Sequence, residues 1–398
     1  RRAGCSAKSF DGPEILIKFT LSTSRQVDSD RSTATRFCCA TNMTTDPRSH
    51  DPNKKKGARP FIVPVFIPHA GCPHHCAFCN QNLIADRPDT LPLKKDVAAE
   101  ISRFLTYRQP HHEVPQISFY GGTFLGIGKE NILAFLGVAT RFVSRGEAAS
   151  IRFSTRPETI TPKNLDLIQA FPVKTIELGV QSMDDAVLQL SQRGHTALDT
   201  RRAVKCLKDR GYVIGLQMMV GLPGQGESSV MTTALEIASL LPDFVRIYPT
   251  IVLKNSRMET WFQNGSYEPL TLGAAVRQVK HLYGLFREKQ IPVIRMGLQA
   301  SESLDFSETI VAGPYHPAFG HLVHSEIFFD KAVAELATER APIHNTVFFV
   351  HPSSISKMRG LKNANIKRLK TLFQIDSIEL IPDDTLSEDT FRLKVFRQ

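Results

Sequence analysis

The sequence predicts an α/β fold, a partial (βα)6 barrel with a small α+β region at its C-terminal end. Three observations lead there: short β-rich runs recur after residue 60, segments of helical length separate them, and the runs are apolar almost throughout instead of alternating. The runs are FIVPVFI at 61–67, QISFY at 116–120, IRFST at 151–155, TIELGV at 175–180, YVIGLQMMV at 212–220 and FVRIYPT at 244–250. Between them, 94–107, 130–145, 183–210 and 227–240 have helical spacing. Near-continuous apolar strands suit a parallel sheet covered on both faces, and right-handed crossovers curl six such units into an open barrel.

Ligands of such a sheet bind at the C-terminal ends of its strands. Those ends carry unusual residues: Cys72 after the first strand, Gly121-Gly122 after the second, Ser154-Thr155-Arg156 at the third and Gln181 at the fourth. Gln217 and Gly221-Leu222-Pro223-Gly224 lie at the fifth. The repetition points to one shared pocket.

With 398 residues, the chain is long enough to bury a large core without cross-links. Its longest apolar runs fall far short of a membrane span, so no membrane partner is expected. The net charge of +10 is concentrated at one end, because residues 1–59 hold 12 Lys/Arg against 6 Asp/Glu. That stretch is rich in Ser and Thr, lacks apolar periodicity and reads as a disordered basic arm. Asp11, Glu14, Asp28 and Asp30 spoil the acid-poor signature of a transit peptide, and Met43 is a natural start. Seven cysteines, three of them within eight positions, suit a reducing, cytoplasmic setting and metal binding better than disulfides.

The three are Cys72, Cys76 and Cys79 in HAGCPHHCAFCNQ, directly after a strand, with Gly71 and Pro73 letting the backbone fold around a bulky group. Three thiolates hold three irons of a 4Fe-4S cubane and leave the fourth open. A structural zinc site is the alternative, since His69, His74 or His75 could complete a set of four ligands. Cys5, Cys38, Cys39 and Cys206 read as unrelated.

CxxxCxxC after a strand, followed about forty residues later by FYGGTF at 119–124, resembles the radical SAM superfamily. STRPE at 154–158 and ELGVQS at 177–182 extend the likeness to oxygen-independent coproporphyrinogen III oxidases and, more closely, to the catalytic subunit of Elongator. QMMVGLPGQ at 217–225, VRIYPTIVLKNSRMETWFQNGSYEPLT at 245–271 and IPVIRMGLQ at 291–299 continue the Elongator likeness, which spans about 60–300. The resemblance implies a 4Fe-4S cluster on the three cysteines, S-adenosylmethionine bound to it, and reductive cleavage to a 5'-deoxyadenosyl radical by an electron donor. It also implies cofactor contacts from Phe78, Gly121, Gly122, Thr123, Ser154, Gln181, Arg193 and Gln217, with Gln181 toward the ribose and Arg193 toward the carboxylate. Ser154 and Gln217 stand where the porphyrinogen oxidases have acidic residues. No acetyltransferase pattern follows, so the acetyl half of the Elongator reaction is not expected.

The barrel core is therefore expected over 60–310 and an α+β region over 311–398, with a helix at 324–339 and strands at 344–350 and 377–381. RGLKNANIKRLKTLFQIDSIELI at 359–381 resembles the core of a KH module, with Asn363 in place of the second glycine of the GxxG loop that clamps RNA backbone. If so, Lys362, Lys367 and Arg368 face phosphates. Alternatively, the segment is an amphipathic packing element whose lysines face water. His316 and His321 read equally well as pocket-lining or structural residues. Three functions follow: a radical enzyme acting on tRNA or other RNA, one acting on a small metabolite, or a nucleic-acid-binding protein with a structural metal.

Overall fold

The computed structural model describes residues 61–67, 71–80, 91–298, 309–339 and 343–396, all within one compact unit, Lys55–Gln398. The expected arm, 1–59, and His69 lie outside the described residues.

Seven parallel strands form one open sheet: β1 (Ile62–Ile67), β2 (Gln116–Gly121), β3 (Ser150–Thr155), β4 (Val173–Gln181), β5 (Val213–Val220), β6 (Phe244–Pro249), then, beyond a short β7 (Val252–Leu253), β8 (Val293–Met296). Their order is sequential and the last does not pair with the first, so the barrel is partial, as expected. β8 adds a seventh strand to the expected six. β3 to β5 are buried along most of their length and β2 at Ile117 to Phe119, whereas β1 alternates, with Val63, Val65 and Ile67 buried. As an edge strand, β1 also tolerates Pro64, whose missing N–H would interrupt a central ladder.

Helices Lys94–Leu105, Lys129–Ser144, Glu227–Ser239 and Leu272–Glu288 bury their apolar stripes against the sheet. The expected helix at 183–210 is two helices, Asp185–Leu190 and Ala197–Asp209. Left-handed Gln192 and Gly194 turn the chain between them, and Thr196 restarts it with a capping box to Asp199. That break exposes Arg193 to the barrel mouth instead of leaving it on a helix face.

β9 (Ile310–Ala312) pairs antiparallel with β7 beside the mouth. Helix Phe319–Leu336 begins five residues before the expected 324. Gly320 allows this, because the Met296 carbonyl comes within 3.2 Å of where a β-carbon would sit. One end of the helix joins the barrel core through Phe319 and Val323, and the other joins a second core through Phe328, Phe329 and Leu336. That second core underlies β10 (Asn345–Val350), β11 (Ser377–Pro382) and β12 (Phe391–Phe396). β10 is central, parallel to β11 and antiparallel to β12, with two short helices between β10 and β11.

Candidate active site at the barrel mouth

The cysteine loop leaves β1 and is pinned from two sides. Ala77, fully buried, donates its N–H to the Ser191 carbonyl (3.0 Å) and accepts from the Met258 N–H (3.1 Å). Asn80 Nδ2 adds a bond to the Lys254 carbonyl at 2.8 Å. A β-carbon at Gly71 would lie 2.3 Å from the Thr123 carbonyl, so only glycine lets the loop approach the turn after β2 this closely.

The loop opens onto a cavity of about 300 Å³. Cys72, Cys76, Cys79, Phe78, Gly121, Gly122, Thr123, Ser154, Gln181, Arg193 and Gln217 all line it, so the three cysteines and every residue expected to contact the cofactor meet in one place, whereas His316, His321 and Gly221 to Gly224 are not among its lining residues. Met219, Tyr248, Ile251, Leu253 and Leu298 also line the cavity and form a largely apolar wall. Sequence reasoning assigned none of these five a role, because their chemistry is that of ordinary core residues.

Arg156 Nη1 and Arg193 Nη1 both donate to Cys76 Sγ, at 3.4 and 3.2 Å. Thr123 Oγ1 lies 3.3 Å from Cys72 Sγ. Burial, reinforced by Cys76 and Cys72, pushes the Cys79 thiol well above its ordinary range. Three half-buried thiols on one cavity, flanked by two guanidinium groups, suit a metal centre that accepts thiolates. Among the described residues, no three His, Cys, Asp or Glu are grouped to hold a single ion. A cubane instead spreads its ligands over separate irons. His74 packs its ring against Gly194.

Arg193 also donates to the Gly179 carbonyl, and its guanidinium carbon lies 6.0 Å from the Phe78 ring centre. Arg156, to which the sequence reading gave no role, pairs with Glu158, whose Oε2 is 3.6 Å from His195 Nδ1. Burial, then the charges of Arg193 and Arg156, lower His195 from its ordinary 6.5 to about 3, so the ring is neutral. The sign follows. Between pH 6.5 and 3 the unfolded chain binds a proton that the folded chain refuses, and stability falls as pH falls through that window. At pH 5 this amounts to about 2 kcal/mol. Urea titrations of wild type and His195→Gln should show a shallower acid limb in the variant. Parallel limbs would mean that the histidine is not held neutral.

At the end of β4 a bulge between Gly179 and Gln181 puts Gln181 in the left-handed region, φ 67°. Gln217 Nε2 donates to Gln181 Oε1 at 3.3 Å, holding the two amides together over the cavity. A bulky residue in this conformation carries a backbone cost that neighbouring packing sustains, a pattern common where a side chain is aimed at a ligand.

Below them, Glu177 is buried between two arginines. Arg152 Nε donates to its Oε1, and Arg246 Nε lies 2.9 Å from its Oε2. Arg246 also donates to Tyr120 Oη (3.0 Å) and Tyr248 Oη (3.4 Å), and Tyr120 Oη donates to Glu177 at 3.4 Å. Burial opposes the charge on Arg246, but Glu177 and Tyr248 more than offset this and hold it firmly protonated.

Comparison with known proteins agrees with this layout. Residues 66–237 match the Radical SAM superfamily model and 242–328 the Radical_SAM C-terminal domain model. An uncharacterized protein of Methanocaldococcus jannaschii is 28% identical over 232 residues, covering 54% of this chain and 69% of its own. A tRNA uridine(34) acetyltransferase of Dehalococcoides mccartyi is 27% identical over 244 residues, 53% of each chain. Human Elongator complex protein 3 is 24% identical over 226 residues, 48% of this chain and 41% of its own. This chain thus spans about half, or less, of those two relatives. The structure of an archaeal Elp3 from Methanocaldococcus infernus superposes with a TM-score of 0.53 at 20% identity, over 72% of this chain and 65% of that one, so the fold is shared. With both family models laid in order over one barrel, and the cysteine loop at its mouth, the chain belongs to the radical SAM superfamily of enzymes.

Proposed function

We propose that this enzyme cleaves S-adenosylmethionine at a 4Fe-4S cluster and uses the resulting radical to modify RNA, with tRNA the first candidate. The observation that carries the first half is the convergence of three thiols, a Gly-Gly turn, two amides and a guanidinium on one cavity. When bound, the cluster and S-adenosylmethionine supply a one-electron cleavage to methionine and a 5'-deoxyadenosyl radical, chemistry that no side chain can provide. Cys72, Cys76 and Cys79 hold the cluster. Arg156 and Arg193 neutralise thiolate charge at Cys76, and hydrogen bonds of this kind shift an iron-sulfur potential. The Gly121-Gly122 backbone, with Thr123 and Ser154, borders the space for the amino acid part of the cofactor, and Gln181 with Gln217 the space for its ribose. Phe78 closes one side. The apolar wall excludes water from a reactive intermediate.

The RNA half rests on the relatives that are named as acting on tRNA. Anaerobic reconstitution with iron and sulfide, followed by reductant and S-adenosylmethionine, is expected to yield 5'-deoxyadenosine. Mass spectrometry of nucleosides from cells with and without the protein is expected to show a modified nucleoside that disappears. Unchanged nucleosides alongside active cofactor cleavage would transfer the radical to a small metabolite and sink the RNA reading.

A further inference from the structure

The stretch from His351 to Ile375 contains six Lys/Arg and no Asp or Glu. It folds as helices Ile355–Arg359 and Ala364–Phe373 between the parallel strands β10 and β11. Their connection is left-handed at Gly360 (φ 69°), Lys362 (φ 52°) and Asn363 (φ 61°). The connection is braced from beneath. Asn365, buried, donates Nδ2 to the Ser325 carbonyl (2.8 Å) and to the Lys357 carbonyl (3.3 Å), and a β-carbon at Gly360 would come within 2.9 Å of it.

Two of the six cations are already committed. Arg368 forms both bonds of a bidentate pair with Glu326 (2.8 and 3.0 Å) and lies 3.5 Å over the Phe329 ring. This corrects its expected place among phosphate contacts, for the carboxylate and ring sit on a helix far away in sequence. Lys370 donates to the Asp376 carbonyl at 2.6 Å. Lys357, Arg359, Lys362 and Lys367 meet no carboxylate among the described residues, and Lys357 reaches only Ser354 Oγ at 3.3 Å.

We infer that this braced loop and its four unmatched cations seat the phosphodiester backbone of single-stranded RNA. Left-handed Asn363 does the work of a second glycine, turning the backbone so that a strand can approach. An acidic protein fits less well. Leu361 and Leu372 are the large apolar side chains exposed on this stretch, too little for the apolar core of a stable protein interface.

This inference deepens the RNA reading and rests partly on it. Full-length reconstituted enzyme, wild type and Lys362→Glu/Lys367→Glu, should be titrated by fluorescence anisotropy against a labelled oligouridylate and against bulk tRNA, at two salt concentrations. The variant is expected to bind at least tenfold more weakly, and its log affinity to depend on log salt with a slope smaller by about 1.4, since each single-strand phosphate contact contributes about 0.7. Deoxyadenosine formation should be unchanged. Equal binding and slope in the two proteins, no binding by wild type, or equal competition by polyglutamate would each overturn the proposal. Should the variant lose RNA while cells lacking the protein show no nucleoside change, the loop stands and the RNA-substrate reading fails.

Discussion

Replacing Cys72, Cys76 or Cys79 with alanine should abolish cluster assembly, whereas Cys206→Ala should leave it intact. The three thiols occupy one loop and border one cavity. Three is the smallest number that holds a cubane while keeping one iron open. Losing one would leave a second iron without a protein thiolate, in a cluster that already has one iron open. Cys206 sits partly buried in helix Ala197–Asp209, among core side chains, and has no part in the cavity. Iron and sulfide content after anaerobic reconstitution decides the matter, supported by the absorption near 400 nm typical of such clusters. A Cys76→Ala protein with wild-type iron content would sink the cluster assignment, and Cys76 is the most telling of the three because both arginines converge on it.

The metal-ligating loop was legible in the sequence because its information is local. Cysteine spacing, the glycine and proline beside it and the preceding apolar run fall within about twenty residues, and no long-range contact is needed to read them. Gln181 and Arg193 were found by resemblance, but the reasons they reach the cavity were not visible. Gln181 does so through a bulge and a left-handed backbone that no glycine announces. Arg193 does so because one apparently continuous helical pattern breaks at Gln192 and Gly194. Arg156 was counted among the strand-end residues of the shared pocket but given no role of its own, because its partner Cys76 lies 80 positions away. In the C-terminal segment the sequence located the loop yet misjudged Arg368, whose partner Glu326 lies 42 residues upstream. Such pairings are set by how elements dock, which composition and periodicity do not encode.

The same limit hid Glu177, and its removal should be the most destabilising single change in the barrel. Its partners come from β3 and β6, and only sheet order puts Arg152 and Arg246 on either side of β4 and β5. Burying three charges is repaid only while each faces an opposite one. Glu177→Gln keeps the shape and removes the sole carboxylate, leaving two buried guanidinium groups to repel each other. A loss of about 3–5 kcal/mol is expected, the usual result of breaking a buried ion pair from one side. Tyr120→Phe, which removes one neutral hydroxyl from the same network, should cost only about 1 kcal/mol. Urea unfolding of both variants separates the two cases. If Glu177→Gln were no worse than Tyr120→Phe, water or a neighbouring group would have to be solvating the arginines, and the floor of the cavity would be wetter than its burial indicates. Because Arg246 also holds Tyr248, a residue of the apolar wall, a true loss at Glu177 should loosen that wall as well, weakening S-adenosylmethionine binding even though Glu177 is not itself assigned to the cofactor.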